Sequence, residues 1–143
     1  MRSAVPEPAV SVGLPVYNGE RYLAEAIESV LRQTFADFEL VISDNASTDR
    51  TAEICRSFAR ADGRVRYHRN EANLGALPNF NRVFDLGRGR YFKWAAHDDV
   101  LRPELLRRCV DVLEDNRDAV VCESDALSLK SVLVVRRERM TLK

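Results

Sequence analysis

Cysteine is scarce in this chain of 143 residues, and Cys55, Cys109 and Cys122 lie far apart with no Cys-x-x-Cys spacing. An odd count without a pairing pattern argues against a disulfide framework. It fits a reducing compartment in which thiols pack as small hydrophobes. Long apolar runs are missing too, and no segment approaches the roughly 20 residues that a membrane-spanning helix needs. Met1 to Pro8 carries one Arg and two prolines but no apolar signal core, so a disordered lead-in is expected over residues 1–8. Excess charge of one sign is absent: Lys+Arg and Asp+Glu each number 22. Without an overall basic field, nucleic acid is not an expected partner. A cytoplasmic location, or one peripheral to the inner face of a membrane, follows as the expectation.

Familiar motifs are lacking as well. No Gly-x-x-x-x-Gly-Lys-Ser/Thr occurs, which argues against P-loop chemistry. Gly87-Arg88-Gly89 precedes a strand-like run instead of opening a helix, so it reads as a turn and not as a dinucleotide fingerprint. His68 and His97 are the only histidines, and no Ser stands in a nucleophile-elbow context, which leaves hydrolase chemistry unsupported. There is no internal repeat, low-complexity stretch or interdomain linker.

What remains is an ordinary globular composition, 45% hydrophobic and 31% charged. The chain alternates strand-like and helix-like segments. Strands are expected at 10–14 (stopped by Pro15), 38–42, 65–68, 91–95 and 119–122, with a further candidate at 132–135. Helical periodicity marks 20–33 (Leu23, Ala26, Ile27, Val30, Leu31), a segment through Ile54, Cys55 and Phe58, another through Leu77, Phe80, Val83 and Phe84, and one opened by Pro103. Ser47, Thr48 and Asp49 offer capping oxygens for the second helix. This rhythm predicts an α/β fold with a doubly wound, mostly parallel sheet and helices on both faces.

Such sheets bind ligands beyond the carboxyl ends of their strands. The residues expected there are Pro15 to Asn18, Asp44 with Asn45, and His97-Asp98-Asp99. Adjacent carboxylates at a strand end repel each other and cannot enter a core, so Asp98 and Asp99 call for a cation. A hard divalent ion carrying phosphate oxygens would satisfy both. The same pair also reads as a turn and helix cap ahead of Pro103. Tyr17 can stack on a nucleobase or be a half-buried loop tyrosine. Asp44 can accept from a base imide or a ribose hydroxyl, or cap a helix. His97 is either a third polar contact or incidental. Lys93, inside an apolar strand, is expected beside a carboxylate or phosphate, and Trp94 in the core.

The stretches Val10–Glu20, Leu23–Phe35, Glu39–Asp49, Asn73-Leu74-Gly75 with Asn81, and His97-Asp98-Asp99 before Pro103-Glu104 occur in order. Together they resemble the N-terminal, nucleotide-sugar-binding part of family-two glycosyltransferases of the GT-A, Rossmann-like fold, over about residues 9–126. The resemblance implies that Pro15 and Tyr17 line the base pocket and that Asp44 bonds the base. It places Asp98 near the ribose or sugar, and Asp99 on a Mg²⁺ or Mn²⁺ ion at the diphosphate. Glu20 and Asn81 match further substrate-binding positions. Where His97 stands the family often has a carboxylate, and Asp98-Asp99 keeps the metal-proximal end.

The implied donor is a nucleoside diphosphate sugar, UDP-linked by family frequency. The implied reaction is inverting transfer to an acceptor hydroxyl of a saccharide, lipid-linked saccharide or protein. Family members supply the general base from a later segment. Glu123 and Asp125 do not match that position, so the catalytic base is unassigned and the domain is expected to be truncated. Residues 127–143 form an atypical tail in this reading, and an open sheet edge would favour homo-oligomers. The competing readings are a catalytically silent nucleotide-binding protein and a nucleotidyltransferase. A basic Gly-rich loop after the first strand, which the latter would need, is absent.

Overall fold

Alternating apolar segments build a six-stranded sheet in the computed structural model, which describes residues 6–124 and 132–137. The elements are β1 (Val10–Val16), α1 (Leu23–Leu31), β2 (Phe38–Asp44), α2 (Thr51–Ala61), β3 (Val65–Arg69), α3 (Ala76–Leu86), β4 (Tyr91–Trp94), α4 (Leu105–Asp115), β5 (Val121–Ser124) and β6 (Val132–Arg136). The strand order is β3-β2-β1-β4-β6-β5. The first four strands are parallel, while β6 runs antiparallel to both β4 and β5. The fold is therefore the expected mostly parallel α/β sheet. The reversal of direction in strand order falls at β1, which lies between β2 and β4.

Two findings differ from the sequence reading. Pro15 does not stop the first strand but lies within β1, opposite Ser43. In this strand Val16 directs its carbonyl to Asn45 on the β2 side, whereas Gly13 directs its carbonyl to Ala95 on the β4 side. By alternation Pro15 also faces β4, two residues past Gly13, the last residue paired with β4, where no ladder donor is needed. The second difference concerns the Val132–Arg136 segment, which had neither a turn signal nor a following helix to place it. It sits between β4 and β5, with Val134 opposite Lys93 and Val135 opposite Phe92. The first five residues of the expected lead-in, residues 125 and 126 of the expected domain, and residues 127–131 and 138–143 of the expected tail lie outside the described residues.

Helices cover both faces. On one, Leu23, Ile27 and Val30 of α1, Cys55 of α2 and Leu105, Leu106, Cys109 and Leu113 of α4 pack against Val12, Leu40, Ile42 and Tyr91. On the other, Val83 and Phe84 of α3 meet Val41, Phe92 and Val135. Cys55 and Cys109 are core residues as expected. Trp94 is only partly buried at the margin of the second face, stacked on Phe84 at 5.4 Å.

The amino ends of the strands are closed by a buried charge. Glu39 of β2 is 3% exposed. It accepts from Ser11 Oγ at 2.7 Å, the Arg88 amide at 2.7 Å and Arg66 Nη1 at 2.8 Å. Burial pushes its carboxyl up, but the Ser11, Arg88 and Arg66 donors outweigh burial and hold it below its ordinary 4.5. The stabilisation is thus present above that value and is lost as pH falls through the folded value. Glu39→Ala is expected to lower stability by about 3 kcal/mol at neutral pH, because two arginines lose their buried partner. Urea denaturation should show the gap between parent and variant narrowing below pH 4.5.

Candidate functional site

The loops following β1 and β2 run side by side at the carboxyl edge of the sheet, and each satisfies the other's backbone. The Asn18 amide donates to Ser47 Oγ at 2.9 Å, the Gly19 amide to Thr51 Oγ1 at 2.9 Å, and the Glu20 amide to Asp49 Oδ2 at 3.1 Å. In return the Thr48 amide donates to Asn18 Oδ1 at 2.8 Å and the Arg50 amide to Glu20 Oε2 at 2.9 Å. Ser47 and Thr48, expected as caps of α2, bond instead to the neighbouring loop. Asp49, one residue before the Arg50 N-cap, accepts the Thr51 amide through Oδ1 at 2.9 Å. The lacing holds Asn18 at φ 50 and Ala46 at φ 61, a left-handed region that costs an alanine roughly 1–2 kcal/mol.

Asp44 ends β2 with 0% exposure. Its carboxylate accepts from Tyr67 OH at 2.6 Å, Arg69 Nη1 at 3.1 Å and the Ser47 amide at 3.0 Å. Both side-chain partners come from β3, whose register sets Arg69 opposite Asp44 and Tyr67 two pairs earlier, opposite Ile42. Burial first, and then the Asp44 carboxylate, push the Tyr67 phenol up to about 12, so it remains a donor at neutral pH. Beside this cluster Asn45, Asn70, Asn73 and Asn79 form a hydrogen-bonded group. Asn70 Nδ2 reaches Asn45 Oδ1 at 3.1 Å and Asn79 Oδ1 at 3.0 Å, while Asn45 Nδ2 reaches Asn73 Oδ1 at 2.8 Å. Gly75, at φ +90, turns this loop into α3.

The loop after β4 closes on the same edge. A Cβ on Gly19 would lie 2.8 Å from His97 Cδ2 and 2.7 Å from Val16 Cγ2, so the imidazole packs on the bare backbone of the first loop. Asp98 is exposed and Asp99 half-buried, its amide donating to the Ala96 carbonyl at 3.3 Å. Beneath them Lys93 is 4% exposed and donates to the Trp94 carbonyl at 2.9 Å. Burial pulls its ammonium down to about 8, against the opposing field of Asp99. That is the carboxylate expected near it.

Of the residues singled out in the sequence, Pro15, Tyr17, Asp44, Asp98 and Asp99 end strands or open loops at this one edge. Tyr17 is 46% exposed there. Glu20 also lies there, with its carboxylate engaged by the start of α2. Asn81 is placed elsewhere. It lines a shallow groove on α3 with Leu74, Leu77, Pro78 and Arg82, whereas Asn79 of the same helix turns to Ser43, accepting its hydroxyl at 2.7 Å. Sequence reasoning missed Tyr67, Arg69, Thr51, Asn70 and Asn79, while Asn45 and Asn73 were in view. A carboxylate ending an apolar strand demands donors, and that demand was the available signal for Tyr67 and Arg69. Among the described residues, no three His, Cys, Asp or Glu side chains form a cage for a metal ion.

The family model for glycosyl transferase family 2 matches residues 11–142. The chain belongs to this family. An uncharacterized glycosyltransferase of Rickettsia prowazekii is 34% identical over 134 residues, 92% of this chain and 41% of that protein. The glycosyltransferase GlyG of Streptococcus pneumoniae is 33% identical over 113 residues, 78% of this chain and 38% of that one. The chain thus spans less than half the length of these relatives.

Solved glycosyltransferase structures share the fold. Staphylococcus aureus TarS (1–349) in complex with UDP superposes at TM-score 0.75 with 21% identity, covering 90% of this chain and 46% of that one. The mannosyltransferase PcManGT of Pyrobaculum calidifontis, in complex with GDP-Man and Mn²⁺, gives 0.79 and 18%, covering 93% and 46%. The sheet described above is accordingly the GT-A glycosyltransferase fold.

Loop lacing is the feature of this edge most open to a stability test. Thr51→Val keeps the side-chain shape but leaves the buried Gly19 amide without its acceptor. A loss of about 1–3 kcal/mol in chemical denaturation is expected, with amide exchange accelerated at Gly19 ahead of the core strands.

Proposed function

We propose that this chain is the donor-binding part of a glycosyltransferase that takes a nucleoside diphosphate sugar, UDP-linked in the first instance, for inverting transfer to an acceptor hydroxyl. One observation carries the reading: Tyr17, Asp44 and Asp98-Asp99 converge on the edge where β1, β2 and β4 end, with His97 packed on Gly19. The base stacks on the exposed Tyr17 ring beside Pro15, with Asp44 beneath its edge. Asp98 faces the ribose or sugar. Glu20 ties the first loop to α2 and so fixes the platform, and Asn81 keeps its family-position assignment on α3. Residues 9–126 form the nucleotide-sugar-binding domain.

A divalent cation fits Asp99. The adjacent carboxylates are hard oxygen donors, and an ion held by one or two carboxylates draws its remaining ligands from phosphate oxygens and water, so no protein cage is required. When bound, Mg²⁺ or Mn²⁺ supplies Lewis-acid neutralisation of the charge that develops on the leaving diphosphate. The protein's share is positional, since laced loops bring platform and carboxylates into place before the donor arrives. The relatives are consistent with this reading, TarS having been solved with UDP and with UDP-GlcNAc and PcManGT with GDP-Man and Mn²⁺. No helix among the described residues is long and apolar enough to cross a membrane. The acceptor is a saccharide, a lipid-linked saccharide or a protein, and no described residue is assigned as the base that deprotonates it.

Calorimetric titration with UDP and Mn²⁺ tests the donor reading. Metal-dependent binding is expected in the parent, with at least a ten-fold loss in Asp99→Ala, about the effect of removing one charged ligand contact. Metal-independent binding, or none, would sink it. Free UDP released from UDP-sugars should accumulate slowly at most, which separates an active transferase from a silent binder.

A further inference from the structure

The donor reading assigns the base to Asp44, yet that carboxylate is 0% exposed and its Oδ2 is already shared by Tyr67 and Arg69. What reaches the surface above it is the Arg69 side chain, 38% exposed. Its guanidinium is held at two points, Nη1 on Asp44 at 3.1 Å and Nη2 on the Ser47 carbonyl at 3.0 Å. Ser47 in turn accepts the amide of Asn18, the residue after Tyr17. The exposed guanidinium and the residue that follows the exposed Tyr17 therefore bond to one and the same loop residue.

We propose that Arg69 is a specificity-determining residue that reads the base by donating to a ring carbonyl, and so selects keto bases (uracil or guanine) over the amino-bearing cytosine and adenine. The proposal rests on the donor reading above. The chemistry follows from the donor inventory. A guanidinium carries five N–H donors and no acceptor, and it stays charged at any working pH. Two donors are committed to Asp44 and Ser47, which fixes the plane of the group and leaves others for a ligand. A uracil O4 or guanine O6 can accept from them. The amino group of cytosine or adenine in that place sets donor against donor and leaves both unpaired, a mismatch that hydrogen-bonding sites reject strongly. Asp44, buried beneath, orients the guanidinium and fixes its plane for that contact.

The test titrates UDP, CDP, GDP and ADP, each with Mn²⁺, into the parent and into Arg69→Gln, Arg69→Lys and Tyr67→Phe. The parent should prefer UDP to CDP, and GDP to ADP, by about ten-fold or more. Arg69→Gln carries both a donor and an acceptor, so its UDP/CDP ratio should fall to within about three-fold. Arg69→Lys keeps the counter-charge on Asp44 without the planar fork and should give an intermediate ratio, which guards against a Gln variant that does not fold. Tyr67→Phe loosens Asp44 without removing the guanidinium, so it should weaken UDP and CDP together and leave their ratio intact. A parent that binds UDP and CDP equally overturns this proposal alone, as does an unchanged ratio in folded Arg69→Gln. A parent that binds none of the four overturns the donor reading and this proposal with it.

Discussion

The side-chain-to-backbone bonds between the loops after β1 and β2 are the interaction on which the carboxyl edge depends. Strands that end beside one another leave amides and carbonyls that must find partners. Here each loop supplies partners for the other. Asn18, Gly19 and Glu20 bond to Ser47, Thr51 and Asp49, and Asn18 and Glu20 answer toward Thr48 and Arg50. Reciprocity makes the arrangement cooperative, since opening one loop strands donors in both. It also accompanies left-handed backbone at Asn18, which asparagine tolerates, and at Ala46, which carries the strain. The pre-formed geometry of Tyr17, and the seat that Gly19 offers to His97, follow from it.

The two ends of β2 show how similar chemistry serves different purposes. Glu39 and Asp44 are both buried carboxylates paired with arginines of β3, Arg66 and Arg69. At the amino end a second arginine, Arg88, and the backbone of the Gly87-Arg88-Gly89 turn close over Glu39, and Ser11 completes its set of donors. That end is sealed. At the carboxyl end Asp44 meets one phenol, one guanidinium and one amide, and the partner that covers it remains partly exposed. An arginine anchored from below and open above is a structural group and also one able to meet a ligand.

The elements were largely legible in the sequence because apolar periodicity is a local property. Strands and helices fell where alternation and three- and four-residue spacings put them, with boundaries shifted by a few residues. Two readings failed locally for tertiary reasons, and one candidate strand could not be placed in the sheet. Pro15 looks like a strand terminator, but it is accommodated because its missing donor faces the open side of β1. Ser47 and Thr48 look like helix caps, but the Asn18 amide claims the Ser47 hydroxyl, and the Thr48 amide donates to Asn18 Oδ1. Val132–Arg136 lacks any local indication of its neighbours, and its insertion between β4 and β5 is a matter of sheet order alone.

By itself the sequence determined the fold class, the family and the presence of carboxylates and an aromatic ring at strand ends, because each depends on residue type and short spacing. The tertiary structure decided how those groups are presented. Parallel register placed Tyr67 and Arg69 on Asp44, turning an expected ligand contact into a buried anchor beneath an exposed guanidinium. It also set His97 on Gly19, and it sent Asn79, not Asn81, toward Ser43. Such pairings join residues from 23 to 78 positions apart, and only the order and direction of strands bring them within hydrogen-bonding or packing distance.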